Sequence, residues 1–424
     1  MRILHTSDWH IGRTFHNEST TENLQIVLTA IVSAVTEHRI DVILIAGDVF
    51  DTSTPSADYV QVLDDTLADI REAGAQIVMT SGNHDSARRL GYQSRAAAFG
   101  GIHVFTRPEQ AWTPAIIDVD GESVAFYGIP YLEPRLFAPA DIEAGTTVST
   151  STGTSTSTST TKFRTHEQVL RFVMDKINED RTQRGGPSIV LAHCFAANIS
   201  GELPTPDSDG ETVDQGDVEI DITAGGLGIV PLSAFDGPDY VALGHLHGRH
   251  HLTDRIRYSG APLHYSFGER AKPRGGWIVD LGVDKNGTDE VGADALSEVR
   301  WLDFPIPRRL TQLTGTLDDL LTNTDYAKFE GDWVKAMITD QARPLDAMRQ
   351  LQARFPHCAT MHHVPEVVIE AVGDSYAARV NGKTDRELVT GFVEHVRNGV
   401  GPSPEEQQEI DDVLASILNK AASK

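Results

Sequence analysis

Seven side chains able to bind a divalent ion stand at or just beyond the ends of apolar runs. Asp8 and His10 follow "RILHTS", Asp48 follows "VILIAG", Asn83 follows "IVMTSG", His193 closes "IVLAH", and His245 and His247 follow "YVALG". The donors are imidazole nitrogen, carboxylate oxygen and amide oxygen, with no thiolate. That set suits a hard-to-borderline ion such as Mn2+ more than a structural zinc. Three Asp or Asn and four His exceed the needs of one ion. Two ions about 3.5–4 Å apart would use them all, and such a pair holds a phosphate, activates a water and stabilises the departing oxygen in hydrolysis. Asp48 is the natural bridge, because a carboxylate can give one oxygen to each ion. Taken singly, each residue has a duller use. An Asp or Asn after Gly serves turns and helix caps, and with 17 histidines in the chain most are surface or core residues. Cys194 beside His193 reads as a buried small apolar group. It is the shared placement at strand ends that points to a site.

Residues so far apart in sequence meet only if their strands lie side by side, since α/β sheets bind ligands beyond the carboxyl ends of their strands. Asp8 and His10 are two apart, as are His245 and His247, a spacing that points both side chains the same way in an extended segment. The first half of the chain supplies suitable elements. "RILHT" is followed by a helix with a Ser19-x-x-Glu22 capping box and a stripe of Leu24, Val27, Leu28, Ile31 and Val35, then by the strand "DVILIAGD". "QIVMTSGN", "SVAFYGIP", "SIVLAH", "DYVALGHLH", "IRYSGAP" and "GWIVDL" are further strand candidates, with helical patterns near 57–73 and 165–181. Strands alternating with helices predict a layered α/β domain over residues 1–280.

The 424 residues allow two or three domains. Residues 146–161 are Ser and Thr apart from Val148 and Gly153, too polar to order themselves, and predict a flexible loop. After Leu281 the pieces shorten: "VRWLDFPI", a helical "LDDLL", a strand "DWVKAMITD", a helix from Pro344 to Phe355 and a strand "EVVIEAVG" predict a smaller α+β domain over 281–380. Two amphipathic helices close the chain. One is opened by Thr384-x-x-Glu387 with Leu388, Val389, Phe392, Val393 and Val396 on a stripe, the other by Ser403-Pro404-Glu405-Glu406 with Ile410, Val413, Leu414, Ile417 and Leu418. Two cysteines exclude a disulfide framework and a thiolate zinc site, and point to a reducing cytoplasm. The N-terminus lacks a signal-peptide core and no stretch reaches the length of a membrane span.

The order D-x-H, G-D, G-N-H-D, a lone strand-end His and G-H-x-H resembles the calcineurin-type metallophosphoesterase superfamily. The wording "LHTSDWHIGRTF", "AGDVFDTSTPS", "SGNHDSARRL" and "ALGHLHGRH" with "IRYSGAPLHYSFGE" is similar, within it, to the nuclease subunits of bacterial SbcC-SbcD DNA repair complexes, and the similarity runs on through the smaller domain into the C-terminal helices. The resemblance implies a layered calcineurin-like sandwich over 1–280, a DNA-capping α+β domain and a helical segment 384–424 that binds the SbcC ATPase. It implies that Asp8, His10 and His247 hold one ion, that Asn83, His193 and His245 hold the other, and that Asp48 bridges, the ions being Mn2+ or Mg2+. His84 would then contact the scissile phosphate or protonate the leaving oxygen, and Asp85 would hydrogen-bond that ring. Archaeal and eukaryotic relatives carry a histidine where this chain has Asp51, so no second catalytic histidine is expected there.

A nuclease partner is at odds with a formal charge of -25, which repels polyanions. Two divalent ions and the flanking Arg13, Arg88, Arg89 and Arg95 offset that field locally. The resemblance adds SbcC, an ABC-type ATPase with long coiled coils, as the main DNA grip. The segment Asp385 to Lys424 has eight acidic and four basic residues, which speaks against direct phosphate binding and for helix packing through Phe392 and Leu414. The expected activity is an ATP-dependent double-strand exonuclease and single-strand endonuclease in a cytoplasmic, nucleoid-associated complex with a homodimer of this chain at its centre. The alternatives are a phosphoesterase for nucleotides or phosphoproteins, and a metal-free scaffold on the same fold.

Overall fold

The structure is a computed structural model that describes residues 1–119, 121–139, 162–197, 228–282, 295–365, 382–397 and 399–422. The Ser/Thr tract 146–161, the loop from Ser200 to Gly216 and the expected strand "EVVIEAVG" lie outside the described residues. The chain forms two compact units, Met1–Pro307 and Arg308–Lys424.

Two six-stranded sheets build the first unit. Numbering the longer elements in chain order, the first sheet takes β1 (Arg2–Thr6), β2 (Val42–Ala46), β3 (Gln76–Thr80) and β4 (Ile102–Phe105), all mutually parallel. The second takes β5 (Ala115–Val119), β6 (Glu122–Ile129), β7 (Ser188–His193), β8 (Tyr240–Gly244), β9 (His250–His251) and β10 (Ile256–Tyr258), with β6, β7, β8 and β10 parallel and the edge strands β5 and β9 antiparallel. β11 (Gly275–Leu281) returns to the first sheet antiparallel to β1, and β12 (Leu296–Asp303) pairs outside it. The expected strand "VRWLDFPI" therefore completes this unit, which extends past residue 280 to Pro307.

Successive strand side chains face opposite ways, and here both faces are covered, which is why the central strands read as unbroken apolar runs. Ile3, Val42, Leu44 and Val78 meet Phe126, Ile189, Leu191 and Ala242 between the sheets. Their neighbours Leu4, Ile43, Ile45, Ile77 and Met79 pack outward against α1 (Thr21–His38) and α2 (Ala57–Glu72). Val190 and Val241 pack against Val169, Val173 and Ile177 of α3 (His166–Arg184). Each fully buried aliphatic side chain contributes roughly 1.5–3 kcal/mol. The stripe of α1 is buried as expected, but its opening differs. Thr20 is the N-cap, and Ser19 is held in a short bridge opposite Thr14, so the Ser19-x-x-Glu22 box does not form.

In the second unit β13 (Leu310–Gly315), β14 (Trp333–Ile338) and β15 (Cys358–His363) make a parallel sheet. α4 (Leu317–Thr322) and α5 (Ala347–Arg354) share its core through Leu317, Leu320, Leu351 and Phe355. α5 starts later than expected because Asp346 takes a left-handed φ of 51°. α6 (Asp385–Val396) and α7 (Pro404–Ala422) follow, each opened by a reciprocal box, Thr384 with Glu387 and Ser403 with Glu406. Among the described residues no helix is long and apolar enough to cross a membrane.

Candidate metal centre

Register decides where the strand ends fall. Thr6 lies opposite Ile45, Ala46 opposite Thr80, and His193 opposite Gly244, so β1, β2 and β3 finish together in one sheet and β7 and β8 in the other. The two edges join directly: His5 Nδ1 lies 3.0 Å from the Tyr240 hydroxyl, and the Nδ1–H of His193 donates to the Ala46 carbonyl at 2.9 Å. All seven strand-end side chains are brought to this common edge.

They fall into two groups. Asp8, His10 and His247 place donor atoms within 4.8 Å of one another, with Nε2 of His10 and Nε2 of His247 3.0 Å apart. Asn83 Oδ1 stands 3.1 Å from His193 Nε2 and 3.2 Å from His245 Nδ1. Asp48 sits between, its Oδ2 3.6 Å from His10 Nε2 and 3.4 Å from His193 Nε2. Asp8, His10, Asp48 and His193 are buried and form the floor; His245 and His247 are half-buried and Asn83 exposed at the rim.

The glycines before Asn83 and His245 are packing requirements. A Cβ on Gly82 would lie 2.1 Å from Asp48 Oδ1, and one on Gly244 would lie 1.8 Å from the Ala46 carbonyl oxygen. Only glycine lets these strand ends approach so closely. The backbone is also turned. Asp8, His10, Asp48 and His245 have φ of 53°, 46°, 46° and 110°, a conformation rare outside glycine and concentrated at functional sites. This corrects the expectation of extended spacing. His245 and His247 reach different partners, because the positive φ of His245 breaks the strand geometry.

Neighbouring groups fix these side chains. Asp8 accepts from Ser7 Oγ at 2.6 Å and from the His245 N–H at 3.0 Å. The His84 N–H donates to Asp48 Oδ1 at 2.9 Å, and His84 Nδ1 lies 2.8 Å from the Asp51 carbonyl. A carbonyl only accepts, so Nδ1 carries the proton. Asp85 does not hold the His84 ring, contrary to the sequence expectation. Its carboxylate accepts the backbone N–H groups of Val49, Phe50 and Gly82 at 2.9–3.0 Å, locking the "GNHD" turn onto the segment after β2.

The electrostatics centre on one pair. Burial opposes the charge of Asp48, yet His193, His10 and His84 hold its carboxyl well below the usual range. Burial likewise opposes the His193 proton, but Asp48 and Asp8 raise it to about 9. Burial pushes Asp8 up to about 6, and lowers His10 to about 4 and His245 to about 3. His10 and His245 are therefore neutral at pH 7, the form a ligand needs. A divalent cation offers Asp48 the positive partner that the His193 proton otherwise supplies. Four imidazoles, two carboxylates and an amide converging in this way fit divalent ions.

Sequence reasoning left three contributors without a role: Asp51, Tyr265 and Glu269. Tyr265 donates its hydroxyl to the Trp9 carbonyl at 3.0 Å, and its ring edges His10 and His247. The only signal was position, Asp51 three residues after Asp48 and "YSFGE" after the last histidine motif.

The model for the calcineurin-like phosphoesterase family matches residues 1–249, more than half of the chain and every residue of both donor groups.

Proposed function

The chain belongs to the calcineurin-like phosphoesterase family and is a metal-dependent phosphoester hydrolase; from that premise we propose that it is a two-ion DNA phosphodiesterase, the SbcD-type nuclease subunit of a complex with an SbcC-type ATPase. The observation that carries the two-ion reading is the pair of donor groups meeting across Asp48, with His84 hydrogen-bonded to that same carboxylate through its backbone. Asp8, His10 and His247 would hold one ion and Asn83, His193 and His245 the other, with Asp48 available to both. Bound there, Mn2+ or Mg2+ supplies Lewis acidity to the phosphate and a water nucleophile at neutral pH.

The chain's own residues then do three things. His84 has its Nδ1–H tied to the Asp51 carbonyl, which orients the ring; in its imidazolium form, where both nitrogens donate, it gives the Nε2 proton to the leaving oxygen. Asp85 fixes the turn that presents Asn83 and His84 together. Arg88, Arg89 and Arg95, all exposed and directly after this turn, supply positive charge against the -25 total. The DNA reading rests on the motif wording and on these arginines. It is tested by comparing linear duplex DNA with small phosphate mono- and diesters, in Mn2+ and in Mg2+, with and without the ATPase. Cleavage of DNA in Mn2+, extended by ATP and the ATPase, supports it. Turnover of small esters alone would leave a nucleotide or phosphoprotein hydrolase.

The ATPase docks on α6 and α7. The two helices are clamped by Arg386 on Asp411 and Arg397 on Glu406 around a cavity of about 350 Å3 lined by Val389, Val393, Ile410 and Leu414. Phe392, Val413 and Ile417 remain 64%, 59% and 57% exposed, an apolar stripe of the kind helix-on-helix binding covers. Exposed Tyr92 and Phe99 support self-association of the first unit, which makes the homodimer at the centre of a heterotetramer with two copies of the ATPase. Loss of the ATPase on deleting residues 384–424 supports the dock, and its retention overturns it.

A further inference from the structure

The two donor groups are alike in their imidazoles but not in what stands behind them. His10 turns Nε2 to the centre and Nδ1 to Asp51, whose Oδ1 is 3.2 Å away. Asp51 is held in turn by Arg13 at 3.5 Å, and Arg13 lies over the Tyr265 ring, 4.7 Å from its centroid. His247 likewise turns Nδ1 to Glu269 Oε1 at 3.7 Å. Glu269 is buried, pairs with Arg274 and accepts the Tyr265 N–H at 3.1 Å, while Arg274 also donates to the His247 carbonyl. Each of these imidazoles thus faces, at ion-pair rather than hydrogen-bond geometry, a carboxylate that an arginine holds in place; His10 Nδ1 is buried without a hydrogen-bond partner. In the other group His193 is backed by a neutral atom, its Nδ1 donating to the Ala46 carbonyl with Asp8 no nearer than 4.0 Å, and His245 turns its Nδ1 to its fellow donor Asn83. That second group also has the amide of Asn83 where the first has the carboxylate of Asp8.

A backing carboxylate fixes the tautomer, orients the ring and raises its basicity toward a cation, and losing one weakens metal binding about 10–100-fold. We propose that Asp51 and Glu269 are positioning residues that make the Asp8–His10–His247 position the tighter of the two. One divalent ion then stays resident there, while the other exchanges with solution at the Asn83–His193–His245 position. This rests on the two-ion reading above and goes beyond it by giving the ions an order.

The test is titration of the ion-free full chain with Mn2+, followed by calorimetry and by the electron paramagnetic resonance signal of free Mn2+. Wild type is expected to show two classes of binding. H10Q should remove the tighter class and N83A the weaker, which assigns each to its position. D51N and E269Q should weaken the tighter class about 10–100-fold and leave the weaker within about twofold, and D51E should restore part of the loss. Circular dichroism checks that E269Q folds, since it leaves Arg274 buried beside a neutral amide; should it fail, D51N at the half-exposed Asp51 carries the test. No Mn2+ binding at all would sink the two-ion reading itself. Two equal classes, or a D51N protein with its tighter class intact, would overturn the ordering alone.

Discussion

The strand-end edge of the first unit and the helical pair at the end of the second depart from ordinary burial in opposite directions. The first turns ionisable groups inward: Asp8, His10, Asp48, His193, Glu269 and Arg274 are all buried. The second turns apolar groups outward, with Phe392, Val413 and Ile417 more than half exposed. Burying an unpaired charge costs several kcal/mol, so the first arrangement persists only because each group is answered by another and, when loaded, by cations. An uncovered apolar stripe costs less, but it leaves favourable burial unrealised. One region is built around small charged ligands, and the other leaves apolar side chains uncovered.

The sharpest way to break this contrast is at Asp48, the carboxylate both donor groups share. D48A should abolish phosphodiester hydrolysis and release both ions, as read by activity and metal content. H84Q should separate chemistry from binding, with kcat down about 10²–10⁴-fold and bound metal unchanged; wild-type turnover would remove His84 from the role of acid. A milder probe is acid. Burial lowers His5 to about 3, with Arg257 adding to the effect, whereas the unfolded chain takes up that proton near pH 6.5. The stability His5 lends is present above pH 6.5 and falls as pH drops toward 3, by about 1.4 kcal/mol per pH unit for one proton. H5Q should flatten that slope in urea unfolding curves measured from pH 7.5 to pH 4.5, and an unchanged slope would contradict the assignment. The smallest effect belongs to the exposed stripe. F392A with V413S should shift stability by less than about 0.5 kcal/mol and hydrolysis of small esters not at all, while capture of the ATPase falls.

Much of the edge was legible because glycine and strand endings are local signals. "AGD", "SGNHD" and "LGH" each place a ligand candidate after a glycine, and the apolar run before each one is long enough to be a doubly covered strand. The capping boxes at Thr384 and Ser403 were readable for the same reason. What failed was tertiary. Ser19 looked like a helix cap until its bridge to Thr14 claimed it. β12, "LSEVRWLD", reads as mixed and polar, and only its pairing with β11 assigns it to the first unit. Asp85 suited a ring contact by sequence adjacency, but three backbone N–H groups brought in by folding took its carboxylate. Asp51 and Glu269 act on histidines 41 and 22 positions away, distances over which spacing says nothing.

The central claim is that the first unit's edge holds two cations across Asp48. Crystals grown in excess Mn2+ and measured at the manganese absorption edge test it most directly. Two anomalous peaks about 3.5–4 Å apart, flanking the Asp48 carboxylate, are expected. A single peak, or peaks remote from Asp48, would contradict the account.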